Sequence, residues 1–229
     1  MNNRINYSVL DKKIWIFDLD NTLYSPSTKI FDKIDLRMKT YISKELDISI
    51  KESFIIQKNL YKKYGTTLFG LMKLYNFKPK EFLDFVHDID LSKIKKSKKL
   101  KELIERLPGE KVIFTNGDEK WAIKILTALG IEKSINKVFD IIKNDYIPKP
   151  QKKSYENFLK RNNINPKNSI FFEDTEKNLQ PAHELGITTV HIHEKFKLDK
   201  KEILKPFIDY KFNCIKIALE NILKKLEKN

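Results

Sequence analysis

Two aspartates separated by a single residue stand at the end of an apolar run. The segment "WIFDLDNTLY" (residues 15–24) places Asp18 and Asp20 after hydrophobic residues, with an amide and a hydroxyl close behind. Two carboxylates held a few ångströms apart repel each other, at a cost on the order of 1 kcal/mol in water and more when they are desolvated. The spacing therefore predicts that a cation or a shared proton lies between them.

Reactive side chains also follow three other apolar runs of the sequence. Thr115 and Asn116 come at the end of the second run, Lys149 follows the third, and Asp174 ends the fourth. Ligands of an open parallel sheet bind beyond the carboxyl ends of the strands, so we expect these groups to converge there with Asp18. Asp18 and Asp174 on neighbouring strand ends would form an oxygen site of the kind that Mg²⁺ prefers.

The chemistry that such a site favours is phosphoryl transfer. A carboxylate that faces a phosphate group held by Mg²⁺ can attack it, so we expect Asp18 to form an aspartyl-phosphate. Asp20 would protonate the leaving oxygen as a general acid, and its carboxylate would then take a proton from the attacking water. The groups predicted to bind the phosphoryl oxygens are the hydroxyl of Thr115, the amides of Asn116 and Gly117, and the ammonium of Lys149.

The elements that must position these residues alternate between strands and helices. Helical patterns separate the strand-like runs, and two of these patterns end in a glycine, a common C-cap residue. The alternation predicts an α/β fold whose parallel sheet is covered by helices on both faces. The predicted strands are residues 12–18, 111–115, 139–143, 169–174 and 187–192, and the predicted helices between them are residues 118–130, 152–163 and 177–186.

The chain between the first and second strands breaks this alternation. It contains four helical patterns in succession, and the second opens with the capping box of Ser49 and Glu52. We therefore predict an all-helical cap domain at residues 25–90, inserted into a catalytic core made of residues 1–24 and 91–229.

Four segments together resemble the motifs of the haloacid-dehalogenase superfamily, in the order that this family has. "DLDNTLY" resembles its first motif, Asp-x-Asp-x-Thr, and "IFTNG" resembles the second. Lys149 in "YIPKP" corresponds to the third motif, and "FFEDTEKNL" to the fourth. The helical insert resembles the smaller type of cap domain in this family. The resemblance covers nearly the whole chain and implies a Rossmann-like, three-layer α/β/α core.

The resemblance also implies a Mg²⁺-dependent phosphatase. Asp18, Asp20 and Asp174 correspond to its metal site, while Glu173 stands where many members carry aspartate and is either a neighbour of the metal site or a direct ligand. The dehalogenase branch lacks the second aspartate, so Asp20 favours phosphatase chemistry over cleavage of a carbon–halogen bond.

Three longer segments are similar to the pyrimidine 5'-nucleotidase group, namely "FTNGDEKWAIKILTALGI", "KPQKKSYENFL" and "YKKYGTTLFGLM". This similarity implies hydrolysis of UMP or CMP. The alternatives are a phosphoglycolate-type or broad sugar-phosphate phosphatase, or a basic binding module without catalysis, which the intact set of motif residues disfavours. Tyr61, Tyr64 and Phe69 in the cap either stack on a base or belong to the helix core, and Tyr64 and Phe69 are the substrate-binding candidates.

Composition indicates a globular protein, and the resemblance implies that it acts on a small phosphomonoester. The 229 residues are 41% hydrophobic, and the net charge of +14 comes from lysines scattered along the chain, so we expect no specific nucleic-acid partner. The chain has one cysteine, no signal-peptide pattern in residues 1–13 and no membrane-spanning run of roughly 18 apolar residues, which predicts a cytoplasmic protein without disulfides or membrane contact. The amphipathic segment 211–225 packs on the core or forms a homodimer, so a monomer and a homodimer are both open.

Overall fold

A single parallel sheet forms the centre of the molecule. The computed structural model describes Val9 and residues 11–196 and 203–228, so most of the segment considered for a signal peptide lies outside the described residues. The strands within them are β1 (Ile14–Phe17), β2 (Glu110–Phe114), β3 (Lys137–Phe139), β4 (Ser169–Glu173), β5 (Thr188–Ile192) and β6 (Tyr210–Phe212). Their order in the sheet is β3-β2-β1-β4-β5-β6, and every neighbouring pair is parallel.

The central strand β1 is apolar throughout because helices cover both faces of the sheet. Trp15 and Phe17 of β1 lie in one buried cluster, and Ile16 between them lies in the other, as the alternation of side chains along a strand requires. The first cluster includes residues of α5 (Lys98–Arg106), α6 (Glu119–Leu129) and α9 (Ile215–Leu226), and the second includes residues of α7 (Lys152–Asn162) and α8 (Glu176–Glu184). The predicted three-layer α/β/α core is therefore confirmed.

Four helices lie between β1 and α5 in the chain. Ser49 and Glu52 form the predicted capping box, in which the Ser49 hydroxyl accepts from the Glu52 amide and the Glu52 carboxylate accepts from the Ser49 amide. The helices are α1 (Ile30–Leu46), α2 (Ile50–Tyr64), α3 (Thr67–Tyr75) and α4 (Pro79–Val86). We call them the cap helices; the domain limits at residues 25 and 90 stay a prediction.

A glycine brings the cap against the core. Gly65 ends α2 with a φ of +88°, a backbone conformation that favours glycine. A Cβ atom at this position would lie 3.1 Å from Cδ of Pro150 and 3.2 Å from the carbonyl oxygen of Lys149. The end of α2 therefore packs directly against the loop that carries Lys149.

The sequence prediction is wrong at one edge of the sheet, and a strand at the other edge was not predicted. Residues 139–143 are not a strand, because β3 ends at Phe139 and a turn follows it. The carboxylate of Asp140 accepts hydrogen bonds from the amides of Glu119 and Lys143, which stabilises the turn in place of further strand pairing. The amphipathic segment 211–225 begins within β6 and continues as α9 after a break at residues 213–214, and its buried side chains pack in the core.

None of the helices in the described part of the chain has both the length and the apolar character needed to cross a membrane.

Candidate active site

Asp18 stands at the carboxyl end of β1 with both of its carboxylate oxygens engaged. Its amide donates to the carbonyl of Phe172, which continues the pairing between β1 and β4 beyond the strand end. Oδ1 accepts a hydrogen bond from Nζ of Lys149 at 2.8 Å, and Oδ2 accepts from Oγ1 of Thr22 at 2.8 Å. The side chain is buried, so these two contacts fix the orientation of the carboxylate toward the cavity described below.

Lys149 places a positive charge between the carboxylates of Asp18 and Glu173. Only 1% of Lys149 is exposed, and Nζ donates to Asp18, to Oε2 of Glu173 at 2.7 Å and to the carbonyl of Phe114 at 2.9 Å. These contacts use all three ammonium protons. Burial lowers the pKa of Lys149, but the charges of Asp18 and Glu173 outweigh burial and raise it, so the side chain stays charged.

Asn116 positions the lysine through the backbone. Its Nδ2 donates to the carbonyl of Lys149 at 3.1 Å, and its Oδ1 accepts from the amide of Lys149 at 2.9 Å. The amide of Gly117 donates to Oγ1 of Thr115 at 3.0 Å. All four of these residues line the same cavity, so the structure brings the predicted phosphate-binding residues together.

Three carboxylates form the negative end of the site. Asp18, Glu173 and Asp174 each place an oxygen within 4.8 Å of the other two. Burial raises the pKa of Asp18 and of Asp174, and the charge of Glu173 raises both further. A single lysine does not balance this charge, and the donors are all carboxylate oxygens, so these residues fit Mg²⁺.

Asp20 has a different environment from this cluster. Its Oδ1 accepts from the hydroxyl of Tyr24 at 2.6 Å and from Nε1 of Trp121 at 2.9 Å. Burial raises the pKa of Asp20, although both of these hydrogen bonds lower it. Its carboxylate is not among the three that form the cluster, and its predicted role as a metal ligand stays a prediction.

Tyr24, Trp121 and His87 are site residues that sequence reasoning missed. Trp121 lies within the predicted helix 118–130. A buried indole N–H needs an acceptor, and this need is the signal that could have pointed to a polar partner. His87 at the end of α4 stacks on Trp121 with ring centroids 4.8 Å apart, and its Nδ1 lies 3.1 Å from Oδ1 of Asp118. No sequence pattern indicated this contact between cap and core.

A cavity of about 340 Å³ extends from the strand ends to the cap helices. Phe31 and Tyr61 belong to its lining and are 40% and 43% exposed. Tyr64 and Phe69 do not belong to it; their rings contact each other edge to face, with centroids 6.3 Å apart. The structure thus brings together the predicted catalytic residues but does not bring these two aromatic candidates to the cavity.

Replacing Asp174 with asparagine should stabilise the metal-free protein. Burial and the charge of Glu173 raise the pKa of Asp174, so holding this carboxyl group in the metal-free fold has a cost that asparagine does not have. Each kcal/mol gained raises Tm by about 2–4 °C for a chain of this size. We expect a Tm higher by a few degrees in EDTA, together with a smaller rise of Tm when Mg²⁺ is added. Asp88→Asn, at an exposed position, is the matched control. An unchanged response of the Asp174 variant to Mg²⁺ would argue against the metal site.

Comparison with known proteins gives one matching family and several relatives. A sequence model of the haloacid dehalogenase-like hydrolases matches residues 15–192. The chain is 27% identical over 232 residues to "Phosphate metabolism protein 8" of Saccharomyces cerevisiae, covering 91% of this chain and 71% of the yeast protein. It is 26% identical over 229 residues to the glyceraldehyde 3-phosphate phosphatase of Methanocaldococcus jannaschii, covering 93% and 98%.

Solved structures share the fold of this chain at low sequence identity. A HAD phosphatase from Thermococcus onnurineus superposes with a TM-score of 0.62 at 19% identity, covering 92% of this chain and 97% of that one. The L-2-haloacid dehalogenase of Xanthobacter autotrophicus with covalently bound chloropropionic acid gives 0.58 at 11% identity, covering 91% and 97%.

Proposed function

Since the chain belongs to the family of haloacid dehalogenase-like hydrolases, we propose that it hydrolyses phosphate monoesters with Asp18 as the nucleophile. The observation that carries this proposal is the position of the Asp18 carboxylate at a strand end, fixed by Lys149 and facing a cavity. The similarity to a phosphatase of Methanocaldococcus jannaschii over nearly its full length supports it.

Asp18 and Asp174, with Glu173 beside them, are the residues that would hold Mg²⁺. When bound, the ion supplies positive charge that offsets the carboxylates and polarises a phosphoryl oxygen. Lys149 supplies a second, fixed positive charge at the same end of the cavity. The hydroxyl of Thr115 and the backbone amide of Asn116 bind the remaining phosphoryl oxygens, while the amide of Gly117 donates to Oγ1 of Thr115 and holds that side chain in place.

The reaction then proceeds in two steps on the protein's own carboxylates. Asp18 attacks phosphorus, the bond from phosphorus to the ester oxygen breaks, and Asp20 gives its proton to the leaving oxygen. Water next attacks the aspartyl-phosphate while the Asp20 carboxylate takes a proton from it, which releases phosphate and restores Asp18. Burial raises the pKa of Asp20, which favours the protonated form that the first step needs. Tyr24 and Trp121 hold its carboxyl group in place.

Asp20→Asn should separate the acid role from the nucleophile role. We compare kcat/KM, which reports formation of the phosphoenzyme and does not depend on its hydrolysis, in which Asp20 also acts. Loss of a general acid should lower kcat/KM by roughly 10²–10⁴ for a substrate with an alcohol leaving group. The loss should be much smaller for p-nitrophenyl phosphate, because nitrophenolate departs without a proton. Both rates are read by phosphate release, and the rise of Tm with Mg²⁺ checks that the metal site is intact. Equal losses on both substrates would contradict the acid role.

For the substrate, we propose pyrimidine nucleoside 5'-monophosphates, UMP or CMP. The cap side of the cavity supports this, because aromatic and apolar side chains there suit a flat base. Glyceraldehyde 3-phosphate is the second candidate, since the archaeal relative is named for it.

A phosphate-release screen tests the activity and the substrate together. It compares UMP, CMP, purine nucleotides, glyceraldehyde 3-phosphate, phosphoglycolate and p-nitrophenyl phosphate, each with Mg²⁺ and with excess EDTA. We expect turnover with Mg²⁺ alone and the highest kcat/KM for UMP or CMP. Absence of phosphate release from every ester would overturn the phosphatase proposal. A higher kcat/KM for a sugar phosphate than for every nucleotide would overturn only the choice of substrate.

Tyr61→Ala should weaken nucleotide hydrolysis selectively. Stacking of a base on an aromatic ring is worth roughly 1–3 kcal/mol, so kcat/KM for the preferred nucleotide should fall about tenfold or more. The value for p-nitrophenyl phosphate should fall far less. Tyr64→Ala and Phe69→Ala are the matched comparisons, since the sequence prediction gave the stacking to them. If kcat/KM for the nucleotide fell selectively in those variants and not in Tyr61→Ala, Tyr64 and Phe69 would be the residues that stack on the base.

A further inference from the structure

A glutamine of the cap has an unused hydrogen-bond acceptor at the cavity. Gln57 of α2 is 2% exposed and belongs to the cavity lining. Its Nε2 donates to Oδ1 of Asp35 at 2.9 Å and lies 3.6 Å from Sδ of Met38. Its Oε1 has no hydrogen-bond partner among the residues that the structure describes.

The orientation of this amide is set by the chemistry of its neighbour. An ionised carboxylate only accepts hydrogen bonds, so the NH₂ group of Gln57 must face Asp35, and Oε1 must face the other way. Asp35 is itself held by Lys58 at 2.6 Å and by Lys39 at 3.2 Å. The side-chain amide of Gln57 therefore cannot rotate by half a turn to find a donor for Oε1 without losing its hydrogen bond to Asp35.

A buried carbonyl oxygen without a partner is costly, and a ligand that supplies a donor recovers that cost. The surroundings of Gln57 restrict which donor this can be. Phe31, Ile34 and Met38 share the lining as apolar side chains, and the carboxylate of Asp35 beside them is already engaged by Gln57, Lys58 and Lys39. A flat ring with an N–H group at its edge matches apolar walls that surround an unpaired acceptor.

We propose that Oε1 of Gln57 selects the leaving group of the substrate by accepting a hydrogen bond from the N–H edge of a nucleobase. This inference rests on the proposed function, because it requires the phosphomonoester to occupy the same cavity. Gln57 is then a specificity-determining residue. Its buried acceptor favours nucleotides over sugar phosphates.

The test compares substrates that carry this donor with analogues that lack it. CMP is paired with the 2-pyrimidinone ribonucleotide, which has a hydrogen in place of the amino group, and UMP is paired with N3-methyl-UMP. Each pair is measured as a ratio of kcat/KM values within one enzyme preparation, so the ratio does not depend on the fraction of folded protein. The variant is Gln57→Met, which keeps the side-chain length and removes the acceptor. The control is Gln180→Met at an exposed position of α8.

We expect the wild-type protein and Gln180→Met to prefer the donor-bearing member of at least one pair by about tenfold. In Gln57→Met that ratio should fall to about one. A ratio that stays unchanged in Gln57→Met would overturn the inference. So would hydrolysis of p-nitrophenyl phosphate by the wild-type protein without hydrolysis of any of these nucleotides, and in both cases the phosphatase chemistry would stand. Failure of the wild-type protein to hydrolyse even p-nitrophenyl phosphate would instead overturn the proposed function.

Discussion

Asp18→Asn should lower kcat by about 10⁴-fold or more, because the amide that replaces the carboxylate is not a nucleophile. The amide has the same shape, its oxygen can still accept from Lys149, and its NH₂ group can face the hydroxyl of Thr22. The variant should therefore fold while losing both turnover and the phosphoenzyme. The measurements are phosphate release and acid quenching with a substrate labelled at the phosphate.

A separate measurement must show that the Asp18→Asn variant is folded. Near-wild-type circular dichroism would show that Asp18→Asn is folded, so that the loss of turnover is chemical. Turnover at the wild-type rate, or a labelled phosphoenzyme in the folded variant, would contradict the assignment of Asp18 as nucleophile.

Lys149→Met should cost both activity and stability. Removing one partner of a buried ion pair leaves uncompensated charge and costs about 3–5 kcal/mol, and here Asp18 and Glu173 both lose their cation. The free energy of unfolding, measured by urea denaturation, should fall by this amount near pH 8. Phosphate release should fall to the background rate, since the phosphoryl oxygens lose a fixed positive charge.

The pH dependence gives this prediction a second readout. Burial and the charge of Glu173 raise the pKa of Asp18, and loss of the Lys149 charge should raise it further. A carboxyl group with a raised pKa in the folded state destabilises the fold as pH rises above its pKa in the unfolded state. The stability difference from the wild type should therefore be smaller at pH 5.5 than at pH 8. Lys153→Met, with a side chain that is 65% exposed, is the control and should change the free energy of unfolding little. A similar small change in Lys149→Met would refute the buried ion pair.

The sequence allowed prediction of the sheet and of the strand ends because both follow from local patterns. Apolar runs marked β1, β2, β4 and β5, and the topology of parallel strands then placed Asp18, Lys149 and Asp174 at one edge. The edge strands were harder, since β3 and β6 have three residues each and the side chain of Asp140 competes for the backbone after β3.

Contacts between distant segments could not be predicted in the same way. Helical spacing shows that Trp121 is buried, but it does not show that its indole meets Asp20, 101 positions earlier. Spacing along α2 likewise leaves open which of Tyr61 and Tyr64 faces the cavity. Gln57 was not singled out at all, because it stands next to Lys58 and Asn59, and one of several polar residues in a helix gives no sign that its amide is buried.

The close approach of Gly65 to Lys149 bears on how the protein can change its specificity over evolution or in the laboratory. A cap transplanted from a relative brings its own residue to this position, and any Cβ there would displace the Lys149 carbonyl or Pro150 by a few tenths of an ångström. Such a chimera would disturb the catalytic cation together with the substrate pocket. Point substitutions on the cavity side of α1 and α2 avoid this coupling. Divergence by single residues is therefore the less disruptive route, and recombination of whole caps is restricted to donors that carry glycine at the junction.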